Sequence, residues 1–444
     1  MRRWRLAAGV AVAVAAATAV TVTALPAGAE TTAFTVTSSW STGYQGQVEV
    51  RNNTSSPIST WRVQLSLPAG TTIVNSWNAT QSASGQNYTF TPAGWNATLA
   101  AGASTSFGFI ANGTGRPTFS TTPTTPPTTP PTTTPPPTGT TPVAQNGQLR
   151  VCGVKLCNAA GRPVQLQGMS THGLQWFADC YNDASIDALA DDWKADLLRV
   201  SMYVQEGGYE TNPAGFTAQV NNLVEQATQR GLYSIIDFHT LTPGDPNYNL
   251  ARAKTFFNEV SARHAAKNNV IYEIANEPNG VSWAGIKSYA EQVIPVIRAN
   301  DPDAVVIVGS RGWSSLGVSE GASSSEITAN PVNASNIMYA FHFYAASHKD
   351  NYRAEVERAA ASLPLFVTEF GTVTYTGGGQ VDLASTAAWL DLLDRLQIGY
   401  ANWTYSDADE SSAAFRPGTC GGPTYAGTSV LTESGTFMRN RIRA

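Results

Sequence analysis

Residues 269–280 read NVIYEIANEPNG and hold two glutamates four positions apart, and a further glutamate, Glu369, stands in LFVTEFGT. Glu273 falls inside an apolar run, where a carboxylate persists only if it is paired. Glu277 lies between Asn276 and Pro278, where the proline ends a strand ladder. Glu369 occupies the matching place at the end of its own apolar run. Two carboxylates facing each other across a ring of strand ends suit cleavage of a glycosidic bond. One protonates the leaving oxygen, while the other attacks the anomeric carbon or activates water. A lone strand-end glutamate is more often merely solvated, so it is the pair that points to catalysis.

Those two runs belong to a longer series. After residue 142 the chain alternates apolar strand-like runs (VQLQGMS, LLRVSMY, YSIIDFH, VIYEIAN, VVIVGS, NIMYAFHFY, LFVTEFG and GYANWTYS) with amphipathic segments such as FTAQVNNLVEQATQR and WAGIKSYAEQVIPVIRAN. Eight such runs with helices between them predict an α/β chain folded as a (β/α)8 barrel over residues 143–444. LRVCGVKLCNAAGRPV before them predicts a hairpin plugging the barrel floor. Chemistry in such a barrel sits at the carboxyl ends of the strands. The polar and aromatic residues collect there: His172 after the first run, Arg199 and Tyr203 on the second, His239 on the third, and Asn276 with Glu277 on the fourth. His342 and Tyr344 follow on the sixth, Glu369 on the seventh and Trp403 on the eighth. His264 and His348 fall on helical or loop stretches and read as ordinary packing or surface histidines.

The region before the barrel has a different grammar. Residues 118–142 form a Pro/Thr tract with no apolar periodicity, which favours extended polyproline II. At about 3.1 Å per residue such a spacer reaches roughly 80 Å. Residues 30–117 alternate in FTVTSSW, GQVEVRN, WRVQLSL, NYTFTP and TSFGFIA between Gly, Asn, Pro and Ser clusters, which predicts a β-sandwich. Residues 1–29 carry a basic start, an apolar stretch and Ala-Gly-Ala before Glu30, the pattern of a secretory signal peptide. The mature chain is therefore expected outside the cell, with its four cysteines oxidised. Cys152 and Cys157 are spaced for a short hairpin, which pairs Cys180 with Cys420. Zinc is the rival reading, but no Cys-x-x-Cys spacing occurs.

A net charge of -5 with 13% charged residues and no Lys/Arg blocks provides no electrostatic footprint for nucleic acid or an anionic membrane. A polar but weakly charged surface suits a neutral polymer.

The segments GMSTHGLQWF, YETNPAGF, DFHTLTPGDP, NVIYEIANEPNG, YAFHFYAASH and FVTEFGT resemble glycoside hydrolase family 5, close to secreted bacterial endo-β-1,4-glucanases, across residues 147–442. The resemblance implies the barrel, a retaining mechanism, no metal or cofactor, and a monomer acting on cellulose and soluble β-glucans. It also implies Glu277 as acid/base and Glu369 as nucleophile, with support from Arg199, His239, Asn276, His342, Tyr344 and Trp403. Arg199 and the Tyr344 hydroxyl suit stabilising the Glu369 carboxylate, and Asn276 a sugar 2-hydroxyl. His342 suits orienting Glu277. Trp403, Trp176 and Trp313 offer apolar planes to pyranose rings, with His172 and Tyr203 beside them. Relatives with a DESSAA segment carry a lysine where this chain has Ala408. Residues 33–110 resemble the family 2 carbohydrate-binding modules, with Trp40, Trp77 and Trp95 matching the exposed aromatic strip, Trp61 a core tryptophan, and the usual terminal disulfide missing.

Two other classes compete with this reading. A metal-dependent barrel hydrolase would use His172, His239 and His342 with the glutamates, although the His-x-His pair expected on a first strand is missing. A non-catalytic polysaccharide-binding protein would have no need of both glutamates. Mannan or xyloglucan are alternative polymers for the same barrel.

Overall fold

The computed structural model describes residues 30–52, 58, 61–93, 96–120 and 140–444. The chain divides into two compact units, on either side of Thr132–Thr133. The expected signal peptide, most of the Pro/Thr tract and Trp95 lie outside the described residues.

The first unit is a two-sheet sandwich. One antiparallel sheet has the order β1 (Glu30–Trp40), β2 (Gly43–Asn52), β7 (Ser104–Asn112), β4 (Thr72–Trp77). The other has the order β5 (Ala79–Ser84), β6 (Asn87–Pro92), β3 (Val63–Ser66), β8 (Thr118–Ser120). Alternation along β2 turns Tyr44, Val48 and Val50 inward and Gln47, Glu49 and Arg51 to solvent. Trp61 fills the core as expected: it is 1% exposed, stacks on Phe107 at 5.7 Å, and donates from its indole to the Asn96 carbonyl at 2.8 Å. Both expected linker boundaries move inward. Thr118–Ser120 adds a strand to β3, and Phe119 packs against the core. At the far end, Thr141 caps the short helix Pro142–Asn146, and the Val143 amide donates to Gly231.

The second unit is a closed barrel of eight parallel strands: β11 (Gln167–Ser170), β12 (Leu197–Tyr203), β13 (Tyr233–His239), β14 (Val270–Glu273), β15 (Val305–Val308), β16 (Ile337–Tyr344), β17 (Leu365–Gly371) and β18 (Tyr400–Trp403). β11 pairs with both β12 and β18, which closes the ring. Three of the longer helices start where the sequence supplies a cap. Asn212 accepts from Gly215 ahead of Pro213–Gln229, and Ser282 accepts from the Gly285 amide ahead of Trp283–Arg298. The barrel floor is apolar: Leu197, Ile235, Ile271, Ile307, Met338, Phe366 and Ala401 converge there. Leu149 and Leu156, flanking and within the hairpin of β9 (Arg150–Cys152) and β10 (Lys155–Cys157), seal it from below. The bridges Cys152–Cys157 and Cys180–Cys420 both form; the second ties the loop after β11 to the loop after β18.

Two details of the ladder set up the site. β14 ends at Glu273, so this glutamate closes its strand and does not lie mid-strand as expected. Beyond it the Ile274 carbonyl accepts from the Tyr289 hydroxyl at 2.7 Å, and the Glu277 amide donates to Thr240 at 3.2 Å. These partners satisfy the backbone and carry it away from the ladder, with Asn276 and Glu277 above the strand. In β17 the register shifts against both neighbours, between Ala340 and His342 on one side and across Val367–Phe370 on the other. A bulge of this kind re-aims side chains. Here it lets consecutive residues, Thr368 and Glu369, both bond to groups inside the barrel.

Candidate active site

Above the apolar floor lies a buried polar layer organised by Arg199. Its Nε donates to Glu273 at 2.7 Å, and its Nη2 reaches Asp237 at 2.9 Å and Asn276 at 2.7 Å. Its Nη1 donates to Glu369 at 3.1 Å, with Ser170 and Ser201 at 3.2 Å. One guanidinium thus faces three carboxylates, a use of its planar fork that a lysine could not reproduce. The sequence reading assigned Arg199 to Glu369; the fold makes it equally the partner of Glu273.

Glu369 is also bonded from above, where the Tyr344 hydroxyl donates to its second oxygen at 2.9 Å. Glu277 meets His342 Nδ1 at 3.0 Å, and the other ring nitrogen of His342 lies 2.8 Å from the Thr368 hydroxyl. An oxygen of Glu277, one of Glu369 and a nitrogen of His342 all lie within 4.8 Å of one another. This spacing could suit a metal, but both nitrogens of His342 are already engaged, and His172 and His239 are outside the cluster.

Burial and neighbouring charge push the two carboxyls in opposite directions. Burial raises the pKa of Glu277, and the nearby Glu369 charge adds to this against the bond from His342. Burial would raise Glu369 too, but His342, Arg199 and the Tyr344 hydroxyl outweigh it and hold this group below the usual carboxylate range. Burial opposes charge on His342, but the Glu273 and Glu277 carboxylates push its pKa up to about 9, so the ring is cationic when Glu277 is ionised. Glu273 is buried as well, but Arg199 and His342 draw it down to about 2. His239 goes the other way: burial, aided by Arg199, lowers it to about 3, and its Nδ1 lies 2.6 Å from Asp237. Two neighbouring carboxyls, Glu369 buried and Glu277 partly so, one favouring its charge and the other its proton, are the arrangement acid–nucleophile chemistry requires.

These groups open into a cleft of about 720 Å³ lined by His172, Tyr203, His239, Glu277, Trp313, His342, Tyr344, Glu369 and Trp403, among others. Tyr203 stacks on His239 at 4.0 Å, and His172 packs against Trp403 at 4.7 Å. Trp176 and Trp313 remain 48% and 42% exposed. Trp176 stands at the edge of Tyr203, at 5.0 Å, and does not itself line the cleft. The Trp313 amide donates to the Pro278 carbonyl, which fixes that ring beside the Glu277 turn. Asn276 is buried beneath the cleft, on Arg199.

The fold adds residues that sequence reasoning passed over. Glu410 lines the cleft, accepting from the Trp403 indole at 3.1 Å and from Ser412 at 2.8 Å. Ala408, in the same loop, is buried and outside the lining. His348, set aside as a packing or surface histidine, is part of the cleft wall; its Nδ1 accepts from the Tyr344 amide, and its ring packs on Tyr352. Tyr375, 71% exposed, stands on a glycine-rich turn at the rim. His264 is a buried packing histidine, bonded to Asn221.

On the sandwich, Trp40 and Trp77 share the outward face of one sheet. Trp40 is paired with Gly43 and Trp77 with Gly108. The Trp77 indole lies 2.2 Å from where a Cβ on Gly108 would be, so the glycine is what lets the ring lie flat on the sheet. Trp40 is 45% exposed.

Residues 157–409 match the model of the cellulase family, glycosyl hydrolase family 5, and residues 30–128 match the cellulose binding domain family. The chain belongs to glycosyl hydrolase family 5. This family 5 cellulase is 61% identical over 420 residues to endoglucanase CelA of Streptomyces lividans, covering 92% of this chain and 91% of the relative. It is 56% identical over 429 residues to endoglucanase E-5 of Thermobifida fusca, covering 93% and 92%. The crystal structure of the T. fusca endoglucanase Cel5A (E5) catalytic domain superposes with a TM-score of 0.68 at 61% identity, over 68% of this chain and all of that one. A complex of that domain with cellotetraose matches with the same TM-score at 60% identity.

Proposed function

We propose that this family 5 endo-β-1,4-glucanase is secreted, docks on cellulose through its front domain, and cleaves internal glucosidic bonds with retention of configuration. The observation that carries retention is the closeness of Glu277 and Glu369, with one oxygen of each within 4.8 Å of the other. An inverting pair stands about 6.5–9.5 Å apart to admit a water, whereas a retaining pair stands about 5–5.5 Å apart. In this reading the Glu369 carboxylate, kept ionised by Arg199 and Tyr344, attacks the anomeric carbon as Glu277 passes its proton to the departing glycosidic oxygen. Glu277 then takes a proton from water, whose oxygen displaces Glu369 from the anomeric carbon. His172, Trp176, Tyr203, His239, Trp313 and Trp403 bind the glucan chain, and Asn276 orients the sugar at the scissile bond. Trp40 and Trp77, with Trp95, form the cellulose-binding strip. A metal-dependent mechanism is less well supported, because both nitrogens of His342 are already engaged.

NMR of the first-formed product tests the mechanism: the new reducing end should be β. Azide rescue tests the roles. Glu277→Ala with an aryl cellobioside should yield a β-glycosyl azide, and Glu369→Ala the α-azide. An α product from the wild-type enzyme, or the reverse azide stereochemistry, would overturn the assignment.

A further inference from the structure

Thr368 has no part in the chemistry described above, yet it sits between two of its groups. The hydroxyl lies 2.6 Å from Glu273 Oε1 and 2.8 Å from His342 Nε2, and the residue is fully buried. Glu273 is ion-paired through its other oxygen to Arg199 at 2.7 Å, so as a carboxylate it can only accept. The single hydrogen of the Thr368 hydroxyl is therefore spent on Glu273. What remains toward His342 is an oxygen lone pair, and a bond there requires a hydrogen on Nε2.

We propose that Thr368 is a positioning residue for acid/base catalysis: anchored by Glu273, it fixes a proton on His342 Nε2 and leaves Nδ1 as the ring position that exchanges a proton with Glu277. The proposal rests on the assignment of Glu277 as acid/base. With Nε2 always protonated, the Nδ1···Glu277 contact of 3.0 Å can hold its proton on either side. When Glu277 is a carboxylic acid it donates to a bare Nδ1; when it is a carboxylate it accepts from Nδ1–H. Both states that double displacement demands of Glu277 thus have a hydrogen-bonded partner. Without the Thr368 acceptor a neutral His342 is free to carry its proton on Nδ1, which would stabilise only the ionised form of Glu277. The other charged groups around this pair are Glu273 from β14, Glu369 from β17, and Arg199 and Asp237 from β12 and β13. None of them except Glu273 is bonded to Thr368.

Thr368→Val keeps the shape and removes the hydroxyl, while Thr368→Ser keeps the hydroxyl. For the valine variant kcat/KM on cellotetraose should fall at least tenfold, and the alkaline limb of its pH profile should move to lower pH. An aryl cellobioside with an acidic phenol, whose departure needs no proton, should lose less than about threefold in its glycosylation step. Serine should restore both. Equal losses on the two substrates with an unmoved pH profile would overturn the proposal, as would no loss at all. If valine prevents folding, nitrogen-15 NMR of the intact wild-type protein decides, since five histidines make the spectrum assignable. A protonated Nε2 on His342 throughout the active pH range is expected, with Nδ1 giving up its proton where Glu277 holds one; a proton carried on Nδ1 alone, or on both nitrogens at every pH, would overturn it. That measurement does not depend on which glutamate is the acid, so its failure and a failed azide experiment are distinguishable.

Discussion

Arg199 donates to Glu369 at 3.1 Å while its Nε holds Glu273 at 2.7 Å, so one buried cation both braces the proposed nucleophile and neutralises the layer beneath it. Replacing it should therefore do two separable things. Arg199→Met leaves buried carboxylates unpaired, a loss of about 3–5 kcal/mol in stability by denaturant titration. It also removes one of the charges that hold Glu369 ionised. The acidic limb of kcat/KM should then shift to higher pH in whatever fraction stays folded.

Glu273→Gln tests the layer from its other side. The carboxylate is drawn from 4.5 to about 2 in the folded protein. A depressed carboxyl contributes stability that is present above its unfolded value and lost as pH falls through the folded one. The wild type should thus lose this contribution between about pH 4.5 and pH 2, a window in which the glutamine variant should show a flatter stability curve. At neutral pH the variant should be destabilised by about 3 kcal/mol, as for other broken buried pairs. Melting temperature against pH reads both.

The tryptophans of the sandwich should divide by position. Trp61→Ala empties a core site and should cost about 3–5 kcal/mol, enough to unfold the domain in a thermal melt. Trp77→Ala and Trp40→Ala should leave it folded and weaken cellulose binding by about 1–3 kcal/mol, by analogy with stacking on other aromatic platforms. A folded Trp61→Ala domain that has lost binding would reverse the assignment of faces.

Separating the two units should spare the chemistry on soluble substrate. The break belongs before Thr140, because Thr141 caps the helix Pro142–Asn146 and Val143 packs beneath the barrel. A chain starting there should match the full protein on carboxymethylcellulose and lose activity on crystalline cellulose, where local concentration matters. Starting at residue 143 should lower the melting temperature as well.

Removing the long-range bridge should affect stability more than turnover. Cys180 and Cys420 are 240 residues apart, and their loss releases a large loop in the unfolded chain. Cys420→Ser paired with Cys180→Ser should cost about 2–4 kcal/mol by denaturant titration, with kcat nearly unchanged at low temperature.

Much of this protein is determined locally and is legible in its sequence. Period-two alternation specifies the sandwich strands, and eight apolar runs alternating with amphipathic segments specify the barrel. The placement of His172, His239, Glu277, His342, Tyr344, Glu369 and Trp403 around one cleft follows from those runs, because every strand of such a barrel delivers its end to the same face. What the tertiary structure alone decided depends on pairing between distant segments. Alternation places Thr368 and Glu369 on opposite faces; the register shifts of β17 against β16 and β18 bring both inside. A guanidinium on β12 could have served any of several carboxylates, and only closure of the barrel put Asp237, Glu273 and Glu369 within its reach at once. Glu410, His348 and Tyr375 come from loops, whose paths are set by contacts far along the chain and leave no periodic trace in the residues themselves.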